Sequence, residues 1–444
     1  MKTPIYDFLR KYSESGSVRM HMPGHKGLGV LGCESLDITE ISGADVLYSA
    51  DGIIEESENN LTSLYGTEHS FYSTEGSTLS IKAMLAIAVS GRSKKVLAAR
   101  NAHKAFIYAA AMLDLEVDWL YPSEGAHLCA CPITPSEVER ALSRGGFSAV
   151  YLTTPDYLGN IADVKGIAEV CKTFGVPLLV DNAHGAYLKF LPEDIHPITL
   201  GAAMCADSAH KTLPALTGGA YLHVSRDFPA FAKKARNYLS MFASTSPSYL
   251  TLCSLDLCNK TLAEGYCERI ARTVDIVENT RLELSSLGFI IRKSEPLKIV
   301  IDATGSGISG VCLSHLLREF GIEVEFADAD LTVLMITPSS TDEDMARVIC
   351  AMTEISARRG EGSEARLIPP TIHETKMSIR DAVFSDFEEI DVSEAVGRIC
   401  ASPTVSCPPA VPIVVSGEVI TADDVATFRY YGIETVAVVS DANP

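Results

Sequence analysis

Two short stretches of this chain hold residue types that can do chemistry together. Val180–His184 reads V-D-N-A-H and sets Asp181 at the end of an apolar run; Asp207–Lys211 reads D-S-A-H-K and runs on into Thr212-Leu213-Pro214. A lysine amine condenses with an aldehyde to give an imine, and a carboxylate beside a pyridine nitrogen keeps that nitrogen protonated. Pyridoxal 5'-phosphate (PLP) needs both groups, because a charged pyridinium makes its ring an electron sink. The apolar neighbours of Lys211 disfavour a permanent ammonium, which suits imine chemistry. Gly185, just after His184, permits close backbone approach. A loop lysine is ordinarily solvated and a loop aspartate ordinarily closes a turn. The joint placement of the pair at two strand ends favours the cofactor reading.

Other candidates are weaker alone. Gly76-Ser77-Thr78 offers hydroxyls and a helix start, a phosphate-cradle pattern, although Ser/Thr at such a place is usually only a cap. Asn101-Ala102-His103-Lys104 follows a strand, so His103 could lie flat on an aromatic ring. Ser208-x-x-Lys211 also fits the S-x-x-K of acylating serine enzymes, but neither S-D-N nor K-T-G occurs. A zinc hydrolase built on His21, His25, Asp181 and His184 is disfavoured, because Pro23-Gly24 breaks any helix that would aim both histidines at one ion. Cys129-x-Cys131 lacks a second pair at zinc spacing, so no metal is expected. Glu55, Glu56, Glu58 and Glu68 read as a solvated helix face.

The elements that must position these residues alternate. Strands are expected at Lys95–Ala99, Val117–Tyr121, Ala149–Thr153, Pro177–Val180, Met204–Ser208 and Ala220–Val224, with helices at 54–65, 77–91, 103–114, 135–143 and 163–174. Such alternation predicts an α/β fold with a mostly parallel sheet, whose ligands lie beyond the carboxyl ends of the strands. A long helical stretch is expected over 256–292, then a smaller α/β region, a polar linker at 358–364 and a Pro-rich strand at 408–415. The expected segments are 1–30 (linker helix and loop), 31–255 (large domain), 256–360 (small α/β domain) and 361–444 (C-terminal lobe).

At 444 residues the chain is long enough for two or three domains. Its net charge of −20 argues against binding nucleic acid or anionic lipid. Nothing resembles a signal core or a membrane span, and the scattered cysteines suit reduced thiols in a cytoplasmic protein.

Several motifs occur in one order along nearly the whole chain: H-M-P-G-H-K-G, S-L-Y-G-T-E-H-S-F-Y-S-T-E-G-S-T, R-N-A-H-K, V-D-N-A-H-G-A, D-S-A-H-K-T-L-P-A-L-T, S-T-S-P-S-Y, A-V-G-R-I-C-A and P-P-A-V-P-I-V-V-S-G-E. In these the chain resembles the Orn/Lys/Arg decarboxylases, PLP-dependent enzymes of the aspartate-aminotransferase fold (fold type I). The resemblance implies a seven-stranded large-domain sheet. It makes Lys211 the imine-forming lysine and Asp181 the partner of the pyridine nitrogen. It stacks His103 on one ring face and Ala183 on the other, and puts His184 near the ring's phenolic oxygen. Gly76, Ser77, Thr78, Ser208 and His210 fall at the phosphate, and Ser244 is a phosphate contact from a second subunit, since family sites lie at a dimer interface. Lys211 or His210 would return the proton to Cα.

The chain opens on the linker helix without the wing domain of the long members, which suggests the short biosynthetic branch and a homodimer or dimer of dimers. Gly218 stands where many members carry Gln. The expected reaction is decarboxylation of a basic L-amino acid, arginine first, then lysine or ornithine, feeding polyamine synthesis. Glu418 in the S-G-E turn is a candidate substrate contact. The rivals are an aminotransferase or aldolase of the same fold, for which Arg366, Arg380 or Arg398 would grip a carboxylate, and a non-catalytic regulator that binds PLP or an amino acid.

Overall fold

The computed structural model describes residues 1–440 apart from 123–125, 131, 365–367 and 406–409. Seven strands, β1 (His69–Ser73), β2 (Lys95–Ala99), β3 (Glu116–Leu120), β4 (Ala149–Thr153), β5 (Leu178–Asp181), β6 (Met204–Asp207) and β7 (Ala220–Val224), form one sheet in the order β1-β7-β6-β5-β4-β2-β3. β2–β3 and β5–β6 pair in parallel, whereas β7 runs antiparallel to both β6 and β1. The expected α/β class and mostly parallel sheet are therefore present. Strands β5, β6 and β7 are buried throughout, as their near-continuous apolar runs require.

Two compact units are distinguishable: Met1–Ser93 with Gly146–Leu152 and Val164–Glu268, and Lys94–Gly145 with Thr153–Asp163 and the chain from Arg269 onward. In the first, the apolar helix Gly76–Val89 packs on β6 and β7, and the helix Pro229–Phe242 packs on it in turn. The N-terminal helix Pro4–Glu14 is tied down where Ile5 and Tyr6 N–H groups donate to Asp256 Oδ2, both at 3.0 Å.

The second unit carries an antiparallel sheet of β8 (Ile290–Arg292), β9 (Lys298–Asp302), β10 (Phe326–Ala327) and β11 (Leu331–Met335), in the order β10-β11-β9-β8. Helices Tyr266–Ser286, Gly310–Glu319 and Asp342–Ser356 supply much of its core, through Val277, Leu313, Leu317, Met345 and Met352. A separate core around Val392, Ile413, Val425, Phe428 and Val438 organises the C-terminal segment.

Three expectations need correction. The stretch 256–292 is not one helix: it breaks between helices Tyr249–Ala263 and Tyr266–Ser286 at Gly265 (φ +73°), and its end is strand β8. Strand β1 and the helix Pro229–Phe242 were not expected. Glu58 is not on a solvated face. It lies one helical turn from the buried Ile54 and Leu61 and is itself fully buried. Its carboxylate accepts from Arg236 Nη2 at 2.7 Å and from the Tyr72 N–H at 2.9 Å, and His69 Nε2 lies 3.1 Å away. Of the Pro-rich stretch 408–415, only Pro412–Val414 is an assigned strand, and residues 408–409 lie outside the described ones.

Candidate active site

The site is built on the carboxyl ends of β5 and β6 in the first unit. Asp181 closes β5 and is 1% exposed. Tyr151 Oη, on β4, donates to Asp181 Oδ2 at 3.1 Å, and the Ala183 N–H donates to Oδ1 at 3.2 Å. Burial pushes the Asp181 carboxyl up to about 6; the Lys211 ammonium and the Tyr151 and Ala183 hydrogen bonds oppose that rise, and Asp207 adds to it. A buried carboxylate that is costly to ionise alone is a fitting partner for a protonated ring nitrogen.

After β6 the chain turns through Ser208 into a single helical turn, Ala209–Thr212, which carries His210 and Lys211. Lys211 Nζ lies 3.1 Å from His184 Nε2, so the loop after β5 and the turn after β6 meet. The His210 backbone N–H donates to Gly219 O at 3.1 Å, and its Nδ1 lies 2.9 Å from the same carbonyl. That places the ring hydrogen on Nδ1. Burial holds the imidazole below its usual range, hence neutral.

The phosphate-cradle candidates converge from two elements. Ser77 opens the helix Gly76–Val89, and Ser208 Oγ donates to Ser77 Oγ at 2.8 Å. Helix N-terminal N–H groups with two hydroxyls make an anion site. Gly218 explains its own identity here. It sits at φ +92°, its carbonyl accepts from the Gly76 N–H at 2.8 Å, and a Cβ would stand 2.7 Å from Thr74 O. The glycine lets the Thr217–Gly219 loop clamp the cradle's first residue. Thr78 is exposed on the same helix turn. The Ser244 N–H donates to Glu75 Oε1 at 2.7 Å, which holds it against the residue preceding the cradle within this same chain.

The first unit thus brings together Asp181, Ala183, His184, Ser208, His210 and Lys211 on one side, and Gly76, Ser77, Thr78 and Ser244 on the other. The residue types fit PLP: an amine, a buried carboxylate facing it, and a hydroxyl-lined helix start. His103 belongs to the second unit, where it caps the helix Lys104–Leu113 with its Nδ1 accepting the Ala105 N–H at 3.1 Å. Glu418, also in that unit, is no exposed turn acid. It is 2% exposed, and its Oε2 accepts from Arg100 Nη2 at 3.2 Å and the Val415 N–H at 2.7 Å, with His373 Nδ1 at 3.3 Å. Its carboxylate is committed to holding the fully buried Arg100.

The arginines a transaminase would need are likewise engaged. Arg380 donates to Ala111 O, and Arg398 to Glu388 and Val439 O; Arg366 lies outside the described residues. His21 pairs with Tyr12 and His25 with Asp37, so neither joins Asp181 and His184 in a metal site. Cys131 is outside the described residues. Among those described, metal-like spacing occurs at His196, Asp207 and His223. Sequence reasoning singled out neither histidine. The signal was available, since a histidine inside the wholly buried A-Y-L-H-V strand requires a buried partner.

No helix among the described residues is long and apolar enough to cross a membrane. The family model "Orn/Lys/Arg decarboxylase, major domain" matches residues 3–304, and "Orn/Lys/Arg decarboxylase, C-terminal domain" matches 365–437. The chain is 31% identical over 455 residues to an arginine decarboxylase of Bacillus subtilis, covering 96% of this chain and 92% of that one. It is 30% identical over 460 residues to an arginine decarboxylase of Halalkalibacterium halodurans, covering 96% and 93%. Among solved structures, a lysine decarboxylase of Francisella novicida superposes with TM-score 0.83 at 16% identity, covering 99% of this chain and 81% of that one. The E. coli constitutive lysine decarboxylase gives 0.79 at 19%, covering 99% and 82%; these two likenesses concern the fold. With both family models matched in order, and Asp181 and Lys211 both inside the first match, the chain belongs to the Orn/Lys/Arg decarboxylase family, whose members decarboxylate basic amino acids with PLP.

Proposed function

We propose that this chain decarboxylates L-arginine to agmatine and carbon dioxide as a cytoplasmic homodimer that supplies polyamine synthesis. The match of about 30% over nearly the whole chain to two proteins named arginine decarboxylase carries the choice of arginine. Lysine and ornithine are the next substrates.

PLP, when bound, supplies the electron sink for the pair released from the scissile carboxylate bond. The chain's own residues do the rest. Asp181 holds a proton at the ring nitrogen. The Ser77 and Ser208 hydroxyls and the helix start anchor the phosphate. Ala183, after β5, would lie against one face of the ring. Ser244 sits beside the cradle through Glu75. Lys211 is the better group to return a proton to Cα: a neutral His210 whose hydrogen is spent on Gly219 O has none to give.

The test is carbon dioxide release by PLP-loaded protein from L-arginine, L-lysine and L-ornithine, with Lys211→Ala as control. Release from arginine that is lost in the control is expected. Release from lysine or ornithine alone moves the substrate. No release from any, with a cofactor that borohydride still fixes to Lys211, overturns the decarboxylase reading and leaves the cofactor site.

A further inference from the structure

Directly behind the strand ends that carry Asp181 and Ser208 lies a second buried carboxylate with no part in the chemistry above. Asp207 is fully buried. Its Oδ1 accepts from Asn182 Nδ2 at 2.8 Å and from the Cys205 thiol at 3.2 Å. Its Oδ2 accepts from His196 Nε2 at 3.0 Å and lies 3.3 Å from His223 Nε2.

The tautomer of His196 follows from its other ring nitrogen. His196 Nδ1 accepts the Ile198 N–H at 3.4 Å, so its hydrogen is on Nε2 and points at Asp207. His223 Nδ1 is 2.7 Å from Ser70 Oγ, which is itself 2.7 Å from Thr67 Oγ1. Tyr65 stacks on His223 with ring centroids 4.2 Å apart and meets His196 edge-on at 5.1 Å; its hydroxyl donates to Ala186 O at 2.8 Å, two residues beyond His184. An Nε2–H on His196 also removes that nitrogen as a metal ligand, so the metal-like spacing is that of a hydrogen-bonded carboxylate.

Three donors and a second imidazole around one buried carboxylate are a costly arrangement unless the charge is used. Its placement shows the use. Asp207 immediately precedes Ser208, and its partner Asn182 immediately follows Asp181. The two strand ends are neighbours in the parallel ladder, with Asp181 opposite Ala206. We propose that Asp207, bonded by His196 Nε2–H and Asn182 and faced by His223, is a positioning residue that locks the Asp181 and Ser208 strand ends together through Asn182 and keeps a second negative charge behind Asp181. The proposal rests on the PLP site described above.

The charged and titratable groups that act on Asp181 are then Lys211 from the turn after β6, Tyr151 from β4 and Asp207 from β6, with His184 reached through Lys211. Removing the Asp207 charge leaves a less negative surrounding, so protons at the bound cofactor come off at lower pH.

The experiment compares wild type, Asp207→Asn and Asn182→Ala as PLP-loaded proteins, reading cofactor dissociation and the pH midpoint of the cofactor's visible absorbance transition. Asp207→Asn should weaken PLP retention about tenfold, the scale of losing a charged hydrogen bond. It should also move the midpoint down by about one pH unit, the size of one elementary charge on a neighbouring strand at an effective dielectric of ~20. Asn182→Ala should weaken retention but leave the midpoint in place, which separates the tether from the charge. If Asp207→Asn does not fold, His196→Leu, which removes the Nε2–H donor and favours a protonated Asp207, must shift the midpoint in the same direction. An unchanged midpoint and retention in Asp207→Asn overturn the proposal. So does a stoichiometric divalent metal in the wild type that is lost in the variant. Borohydride fixation of PLP to Lys211 in the wild type checks the underlying site independently; its failure sinks that site reading rather than the role of Asp207.

Discussion

Replacing Asp181 with Asn should stabilise the cofactor-free protein while destroying its chemistry, and the pH dependence of that gain is calculable. The folded chain holds the Asp181 proton up to about pH 6 against an ordinary 3.8, because burial opposes the charge. Between those values the folded state binds more protons than the unfolded chain, so rising pH costs stability. The group is fully favourable below about pH 4, and its penalty is complete above about 6. At about 1.4 kcal/mol per unit the shift is worth about 3 kcal/mol at neutral pH. Asn carries no such penalty and can keep one of the two hydrogen bonds from Tyr151 and the Ala183 N–H.

The assay is thermal melting of cofactor-free wild type and Asp181→Asn across pH 4 to 8. The variant should match the wild type in acid, gain through the window and level off above it. Asp156 and Asp256 are also pushed up to about 6 by burial, but they are common to both proteins and cancel in the difference. With PLP bound, the positive ring nitrogen removes the cost and the gain should shrink or reverse. A difference that does not vary with pH, or a wild type that gains on the variant as pH rises, refutes the reasoning.

Ser208→Ala should weaken PLP binding by about tenfold and Ser77→Ala by no more, since each removes one hydroxyl of a pair already bonded to each other; equilibrium dialysis measures both. Gly218→Gln should cost about 1–2 kcal/mol of strain at its left-handed backbone and loosen the Gly76 hydrogen bond, seen as faster PLP loss; a variant that keeps PLP as well as the wild type contradicts the clamp. Glu418→Ala should leave the buried Arg100 without a carboxylate partner, beside the Pro412 and Ile413 carbonyls, and destabilise the protein by about 3–5 kcal/mol. Limited proteolysis of the C-terminal segment checks this, and wild-type resistance would refute it.

What could be read in the sequence was what the chain announces locally. Asp181 and Lys211 stand at the ends of apolar runs, and an α/β alternation puts such ends on one edge of a sheet; the structure places both there. Strand β1 was missed because S-F-Y-S alternates no more cleanly than a loop, and its buried Ser70 is satisfied by the nearby Thr67 and by His223, which is 153 residues away. Glu58 was misread for the same reason: one of its partners, Arg236, arrives from 178 residues away. Gly218 looked like an unexplained departure from family habit until its carbonyl was seen to hold Gly76.

The pattern in these misses is that polar side chains in this fold are identified by their partners rather than by their flanks. Asp207 is the strongest instance. D-S-A-H-K directs attention to its lysine, serine and histidine, and although Asp207 falls in the expected strand Met204–Ser208, nothing adjacent in sequence names the partners of its carboxylate. Its histidines are 11 residues before it and 16 after it, one in a loop and one on an otherwise apolar strand. Burying a charge at that depth is favourable only if its donors are all in place, so the two histidines, Asn182 and Cys205 form one requirement. That requirement sits one residue from each of the two strand ends that the chemistry uses. A chain that needed only a rigid sheet could fill the same space with apolar side chains at no loss of stability, which is why the carboxylate is best understood by what it does to Asp181 and Ser208.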